Sequence, residues 1–254
     1  MNSGRKKKND STASFTANNN KTDHGENLAN LTEKVRAFVK ERGATLVGVA
    51  STDSFSKAPQ GHRPKEFLPL AKSVISIGLG INKSSILQLP KTMKEYKMNY
   101  DVTNVRLNNL AWETARFLEN LGYEALAVPA SSPYDKEKNF GDISHKHVAV
   151  AAGLGKFGLN NLVLTLDYGP YVRFVTVITS APLKPDKPFD RDICLREKCL
   201  KCIKACPPGA LEKGVYNGTE GWRIDKEKCH DYIHAISGGD VCGLCIKACP
   251  VAKR

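Results

Sequence analysis

The stretch CLREKCLKCIKACP runs from Cys194 to Pro207, and the stretch CGLCIKACP runs from Cys242 to Pro250. Both contain the spacing C-x2-C-x3-C-P, and one more cysteine precedes each copy, Cys194 the first and Cys229 the second. Short turns of this kind let thiolates and backbone amides surround one corner of an iron–sulfur cubane, while the cysteine before proline reaches the neighbouring cluster. The paired spacing therefore predicts two [4Fe–4S] clusters.

In two-cluster ferredoxins the cysteines before the prolines are exchanged between the clusters. Applied here, each cluster takes three cysteines from one part of the sequence and one from the other. The first thiol group is Cys194, Cys199, Cys202 and Cys249, and the second thiol group is Cys229, Cys242, Cys245 and Cys206. The four-residue gap after Cys194 departs from the usual two, so Cys194 could instead be a spare thiol beside a cluster with three cysteine ligands.

Zinc and disulfides are the alternative uses of these cysteines. Zinc sites also contain C-x2-C pairs, but they do not call for a third cysteine followed by proline, twice. Disulfide frameworks are typical of short secreted chains with a leader peptide. This chain has 254 residues, no cysteine in its first 193 and no apolar run of membrane-spanning length, so we expect a cytoplasmic protein with no membrane partner.

The formal net charge of +12 raises the alternative of nucleic-acid binding, because clustered Lys and Arg neutralise phosphates. That charge counts the cysteines as neutral, whereas two oxidised clusters with thiolate ligands would each carry about −2. The basic residues are also spread along the chain. We therefore interpret them as a solvated or cluster-compensating surface.

Composition and periodicity divide the chain into three regions. Residues 1–26 are polar and predict a disordered tail. Residues 27–183 predict an α+β domain, and residues 184–254 predict the cluster-binding domain, reached through a charged, Pro-rich linker. The predicted helices lie at Leu28–Val39, Asp101–Leu121 and His145–Ala152, and the predicted strands at Ala44–Ala50, Val74–Leu79, Tyr123–Val128, Asn161–Leu166 and Tyr171–Thr179.

Three glycines, Gly153, Gly155 and Gly158, match the G-x-G-x-x-G string of dinucleotide sites. The sequence after them is rich in β-branched residues rather than helical, and no acidic residue ends the next strand to hold a ribose. We therefore expect these glycines to permit a tight turn and a close backbone approach rather than to bind NAD.

The segment AAGLGKFGLNNLVLTLDYGPYVRFVTVITSAPL, from Ala151 to Leu183, resembles the core signature of epoxyqueuosine reductases and reductive dehalogenases. In those families AGLG-x-x-G, YG-P-x-R and T-x-x-PL segments precede a two-cluster ferredoxin module. The resemblance extends through GHRPKEFLPLAKSVISIGLGI at Gly61–Ile81 and W-x-x-D-x-x-x-C at Trp222–Cys229, and covers about residues 30–250. It implies a nitroreductase-like α+β core followed by a bacterial ferredoxin-like domain with two clusters.

The resemblance also implies a base-off cobalamin in the core, with the nearer cluster reducing the cobalt. Cobalt(I) is a reductant strong enough to remove an epoxide oxygen or a halide, and the protein supplies the electron path, a dry pocket and a proton donor. The candidate cofactor-binding residues on this basis are Gly153, Gly155, Gly158, Tyr168, Tyr171 and Arg173. The guanidinium of Arg173 would suit an oxyanion of the cofactor, and a salt bridge to the preceding loop is the alternative.

The sequence departs from both families in ways that bear on its function. It ends four residues after Pro250, without the helical domain that contacts tRNA in epoxyqueuosine reductases, and it carries no twin-arginine leader, so we expect no specific tRNA binding. The carboxylate proton donor of the queuosine enzymes has no clean counterpart. Asp142 is the nearest acid, and His145 and His147 are further candidate proton donors or corrinoid-pocket residues, each with an ordinary structural role as the alternative.

The leading hypothesis is an iron–sulfur reductase that draws electrons from a donor such as a ferredoxin or flavodoxin. Its substrate would be a small molecule or a modified nucleoside. One alternative is a non-catalytic electron-transfer protein on a degenerate core, and another is a reductase with FMN in the nitroreductase-like pocket. The intact glycine string and YGPYVR segment favour an enzyme, because a pure electron carrier needs no shaped pocket.

Overall fold

The computed structural model describes residues 28–131, 134–135, 140–211, 216–217, 221–222, 224–237 and 241–251. The tail predicted at residues 1–26 lies outside them. The first half of the described chain contains four helices and three strands: α1 Leu28–Glu41, β1 Leu46–Ser51, α2 Pro64–Phe67, β2 Ser73–Gly80, α3 Lys83–Leu87, α4 Met93–Asn120 and β3 Ala125–Val128. The elements that follow are β4 Tyr134–Asp135, β5 Phe140–Gly141, α5 His145–Ala151, β6 Lys156–Phe157, β7 Val163–Leu164, β8 Val172–Thr179, α6 Lys201–Lys204, β9 Tyr216–Asn217, β10 Gly221–Trp222, α7 Lys226–Ser237 and α8 Leu244–Ala248.

Four antiparallel strands form the main sheet, in the order β1-β2-β8-β3. Side chains alternate across a strand, so Ile75 and Ile77 face one side and Val74 faces the other. Helices α1 and α4 cover the first face, burying Val35 and Leu107 against it, and α5 covers the second face. This mixed α and β architecture confirms the coarse fold prediction for the N-terminal region.

The strands and the first helix lie close to their predicted positions, and Gly43 ends α1 with φ +96°, as a left-handed cap requires. Helix α4 begins at Met93, eight residues before the predicted start, because buried Tyr96 packs in its first turn. The strand predicted at Asn161–Leu166 is reduced to Val163–Leu164, followed by a single bridge from Thr165 to Gly169. Asn161 has φ +55° and breaks the extended run at its start.

The predicted linker at residues 182–192 is packed against the N-terminal domain rather than free. Its Asp186 carboxylate accepts hydrogen bonds from Nη2 of Arg36 at 2.6 and 2.7 Å and from the backbone N of Val49 at 2.7 Å. Leu183 is buried in the same core as α1 and α4. The chain that leads to the cysteines is therefore fixed to the sheet.

The cysteine-bearing region packs on the N-terminal domain through a buried apolar cluster that contains Val241, Ile81, Leu89 and Tyr96. Gly243 has φ +73°, and a Cβ there would lie 2.6 Å from the Tyr96 ring, so only glycine fits this contact. In the described residues no helix combines the length and the apolar content of a membrane span.

Candidate functional site

Each cysteine motif forms a tight turn that leads into a short helix. Leu200 has φ +49° and Gly243 has φ +73°, so the residue before each helix, α6 or α8, is left-handed. Cys202 then lies in α6 and Cys245 in α8. All eight cysteines fall within the described residues, and none of them forms a disulfide. The repeated sequence therefore folds into a repeated backbone.

The first thiol group lines one cavity beneath the 3₁₀ turn Arg196–Lys198. Its members are Cys194, Cys199, Cys202 and Cys249, and the cavity also contacts Leu159, Asn160 and Leu164. Burial and, to a smaller extent, the negative charges of Cys194 and Cys249 together raise the pKa of the Cys202 thiol to about 12. Cys249, which comes from the second motif, thus lies with the cysteines of the first.

The second thiol group is brought together in the same way. Burial raises the pKa of Cys229, and the charges of Cys206 and Cys242 add to that rise. Burial also raises the pKa of Cys245, with further contributions from Cys242, Cys229 and the more remote Cys202 and Cys206. Buried thiols that repel one another in this way ionise when a cation lies among them, as the irons of a cluster would.

Two buried polar atoms test whether the residues around the thiols fit a cluster. The hydroxyl of Tyr171 and the Nδ2 of Asn160 have no hydrogen-bond partner in the described part of the chain. The Tyr171 side chain is fully buried, and its pKa is raised by burial and then by the charge of Cys249. A buried donor without an acceptor is costly, and cluster sulfurs beside these residues would supply acceptors. The residues present therefore fit an iron–sulfur cluster.

Lys146, on α5, extends toward the second thiol group. Its Nζ donates to the carbonyl of Asn161 at 2.9 Å and lies 6.0 Å from the centroid of the Phe157 ring. Burial is the main cause that lowers its pKa, Lys226 contributes to the lowering, and the charges of Cys245 and Cys229 act to raise it, which leaves a pKa of about 8. This buried cation was missed in the sequence because it lies between two histidines that are more usual proton donors.

Arg173, on β8, is bound by neutral side chains on α4 and the loop after β3. Its Nε donates to Oδ1 of Asn104 at 2.8 Å, and its Nη2 donates to Oγ of Ser131. Its guanidinium carbon lies 3.9 Å from the centroid of the Tyr100 ring. The described residues show no salt bridge from Arg173 to the preceding loop, which was the alternative role for it.

Tyr100 lies beside Arg173 and packs against the apolar cluster that contains Tyr96 and Val241. Burial acts to raise its pKa, but the charge of Arg173 and hydrogen bonds with Ser131, Asn104 and Arg173 outweigh burial, so the net pKa is lowered. The neighbouring Tyr96 has its pKa raised by burial and, to a smaller extent, by Cys245 and Cys242. No sequence pattern points to Tyr100, because it contacts Arg173 only through the fold.

The three candidate proton donors do not converge. His145 places Nδ1 2.8 Å from Oγ1 of Thr176 and Nε2 3.0 Å from the carbonyl of Pro129, and burial lowers its pKa. The carbonyl of Pro129 accepts, so Nε2 carries a proton. His147 is exposed, with Nδ1 2.6 Å from Oγ of Ser144. Asp142 is exposed on the loop before α5. Their catalytic roles stay predictions.

The glycines and Tyr168 are packed against the chain itself. A Cβ on Gly153 would lie 2.3 Å from the carbonyl of Lys187, and a Cβ on Gly155 would lie 2.2 Å from the carbonyl of Leu164. A Cβ on Gly158 would lie 2.8 Å from Oδ1 of Asn160. These contacts confirm the close backbone approach that we expected. Whether the same residues also touch a cofactor stays a prediction.

The ring of Tyr168 lies against β2. A Cβ on Gly80 would lie 2.6 Å from that ring, so Gly80 makes room for the tyrosine. The backbone N–H of Tyr168 donates to Oγ1 of Thr165 at 3.2 Å. The YG-P-x-R segment thus anchors β8 to β2, and its Arg173 reaches the Tyr100 site.

Comparison with known proteins finds similar proteins for both parts of the chain. Residues 194–253 match the family model described as a 4Fe-4S dicluster domain. The tetrachloroethene reductive dehalogenase of Sulfurospirillum multivorans is 29% identical over 195 residues, which is 72% of this chain and 36% of that protein. The epoxyqueuosine reductase of Bacillus cereus is 36% identical over 237 residues, which is 82% of this chain and 57% of that protein.

A solved reductive dehalogenase, described as suggesting a mechanism for B12-dependent dehalogenation, superposes with a TM-score of 0.72 at 21% identity. The match covers 91% of this chain and 33% of that one, and it shows a common fold. The chain spans about one third to three fifths of the length of these curated relatives. The chain is thus a homologue of the epoxyqueuosine reductases and reductive dehalogenases, and it carries a 4Fe-4S dicluster domain at its C-terminal end.

Proposed function

We propose that this protein is an iron–sulfur reductase in which two [4Fe–4S] clusters pass electrons to a cobalamin held beside Tyr100 and Arg173. The observation that supports it best is the regrouping of the thiols, with Cys249 among the cysteines of the first motif and Cys206 among those of the second. This exchange is the arrangement of two-cluster ferredoxins. The proposal also takes the N-terminal domain as a nitroreductase-like core.

The two clusters would stand in a defined order. Lys146, Tyr96 and Tyr100 belong to the N-terminal domain, and the thiols whose charges affect Lys146 and Tyr96 are those of the second group. Three cysteines of the first group lie on the segment from Arg191 to Lys204, which carries several exposed residues and ends in α6. Electrons would therefore enter at the first cluster and leave the second cluster toward Arg173.

Tyr100 and Arg173 together supply a proton donor and a cation that stabilises the donor after it loses its proton. Cobalamin, when bound, supplies a strongly reducing metal that can cleave a carbon–halogen or carbon–oxygen bond. The phenol oxygen of Tyr100 holds a proton, and Arg173 stabilises the tyrosinate left after that proton is given up, as the lowered pKa indicates. Asn104 and Ser131 orient the guanidinium. We assign Tyr100 as proton donor on these contacts.

The electron donor would be a small acidic carrier such as a ferredoxin or flavodoxin. Three lysines next to the first thiol group are exposed, Lys198 in the 3₁₀ turn and Lys201 and Lys204 in α6. Asp192, on the loop before them, is paired with Arg196 at 2.9 Å. A basic surface of this kind attracts an acidic partner and speeds its encounter. The substrate class is a small molecule or a modified nucleoside, and the cytoplasmic location stays a prediction.

Anaerobic reconstitution followed by absorption spectroscopy tests the proposal. We expect the spectrum to change when cob(II)alamin is added, to remain unchanged with FMN, and to respond less in Arg173→Met. A response to FMN alone would favour the flavin reductase. No response to either additive would favour the non-catalytic electron carrier. For a role in tRNA modification, deletion of the gene should leave queuosine in the host's tRNA unchanged, and loss of queuosine would contradict that expectation.

A further inference from the structure

The side chain of Asn160 lines the cavity of the first thiol group, and its amide nitrogen has no acceptor among the described residues. The residue is 4% exposed, and its Oδ1 accepts from the backbone N of Leu162 at 3.3 Å. Its Nδ2 is buried and, within the described residues, has no hydrogen-bond partner. The same residue contacts the cavity formed by Cys194, Cys199, Cys202 and Cys249.

The orientation of this amide is fixed by the backbone. Because the N–H of Leu162 must meet an acceptor, the oxygen of the amide turns toward it and the NH2 group turns away. The reverse orientation would set two donors against each other. The NH2 group therefore has no acceptor among the described residues. A buried donor without an acceptor costs free energy, unless a bound group accepts its hydrogen bond.

Gly158 makes room for this orientation. A Cβ at position 158 would lie 2.8 Å from Oδ1 of Asn160, a distance that forces one of the two to move. The backbone of Gly158 is not left-handed, so turn geometry alone does not demand glycine there. Gly158, the last glycine of the G-x-G-x-x-G string, thus leaves room for the amide of Asn160 to keep this orientation.

We infer that Nδ2 of Asn160 donates an N–H···S hydrogen bond to the cluster held by Cys194, Cys199, Cys202 and Cys249, and makes that cluster easier to reduce. The inference rests on the proposed function, since it requires a cluster at that site. Hydrogen bonds to the sulfurs are among the features that set the potential of an iron–sulfur cluster, because they stabilise the more negative reduced state. Asn160 is thus a positioning and tuning residue for the first cluster.

The test is a redox titration of the anaerobically purified holoprotein, followed by electron paramagnetic resonance. Asn160→Leu keeps a similar volume and removes the donor. Two components should titrate, one for each cluster, and the substitution should affect one of them. At a fixed potential, the reduced-to-oxidised ratio of that component should fall three- to tenfold. This fall corresponds to a midpoint potential about 30 to 60 mV more negative. Gly158→Ala should shift the same component in the same direction. Asn109→Leu, at an exposed position on α4, is the matched control and should shift neither component.

A second readout reports the hydrogen bond directly. In wild-type protein, exchange into D2O should shift the iron–sulfur stretching bands in resonance Raman spectra, and the shift should be smaller in Asn160→Leu. If Asn160→Leu does not retain its clusters, the isosteric Asn160→Asp takes its place and should lower the potential further, because it adds negative charge. Unchanged potentials in a variant with about eight irons per chain would overturn the inference. Wild-type protein without iron would contradict the proposed function instead.

Discussion

The guanidinium carbon of Arg173 lies 3.9 Å from the centroid of the Tyr100 ring. Burial alone would raise the pKa of Tyr100, but the charge of Arg173 and the surrounding hydrogen bonds lower it. Replacing Arg173 by Met removes the cation and leaves the burial, so we expect the pKa of Tyr100 to rise and tyrosinate to form at higher pH. The measurement is an ultraviolet titration of Arg173→Met from which the titration of Arg173→Met/Tyr100→Phe is subtracted. The difference reports the ionisation of Tyr100 alone.

Arg173→Lys is the control for the same titration, because it keeps the charge and loses the forked donor. It should leave Tyr100 with a pKa nearer to that of the wild type than Arg173→Met does. A Tyr100 pKa that is unaffected by Arg173→Met would mean that the hydrogen bonds, rather than the cation, lower it.

Lys146 places a buried positive charge beside the second thiol group. Lys146→Met should make the potential of the second cluster more negative by on the order of 50 mV, because a nearby cation favours the reduced cluster. Lys146→Arg retains the charge and should stay close to wild type. Lys228→Met, which removes an exposed lysine paired with Asp225, is the surface control. A redox titration in which Lys146→Met matches Lys228→Met would contradict this role.

The exchange of cysteines between the motifs can be tested by paired substitutions. Cys199 and Cys249 belong to the same group, so Cys199→Ala/Cys249→Ala should disable one cluster and keep about four irons per chain. Cys199 and Cys206 belong to different groups, so Cys199→Ala/Cys206→Ala should disable both and keep far fewer. Iron analysis after anaerobic reconstitution measures the difference. The opposite ranking would show that each motif holds its own cluster without exchange.

The exposed lysines over the first thiol group should govern the encounter with the electron donor. Charge reversal at Lys198, Lys201 and Lys204 should lower the rate of reduction by a photoreduced flavodoxin by about tenfold at low salt, and high salt should remove most of the difference. Stopped-flow bleaching of the clusters measures that rate. The same reversal at exposed Lys34, Lys40 and Lys91 is the control. Equal rates for the two triple variants would place the donor elsewhere.

The backbone turns of the two cysteine motifs were predictable from the sequence because each depends on local spacing. The turns before Cys202 and Cys245 repeat because the sequence around them repeats. The exchange of Cys206 and Cys249 was expected by analogy with two-cluster ferredoxins. The strands and α1 were equally predictable, since Val35 and Ile75 belong to clear apolar periodicities. These features need little knowledge of how distant parts of the chain meet.

The Tyr100 site could not be predicted in the same way. Tyr100 and Arg173 are 73 residues apart in the sequence and meet only because α4 lies across β8. The predicted start of α4 at Asp101 left Tyr100 outside the helix, and tertiary packing of Tyr96 extends it to Met93. For the glycine string, the close approach of the chain was predicted from the sequence. The role of Gly158 in placing Asn160 was not, because it depends on a side-chain contact that only the fold reveals.

The most direct test of the account is the iron and acid-labile sulfide content of the anaerobically reconstituted chain, measured together with the low-temperature paramagnetic spectrum after reduction. Two cubanes predict about eight irons and eight sulfides per chain and a pair of interacting low-potential signals. One or two tightly bound metal ions per chain with no reducible signal would contradict it.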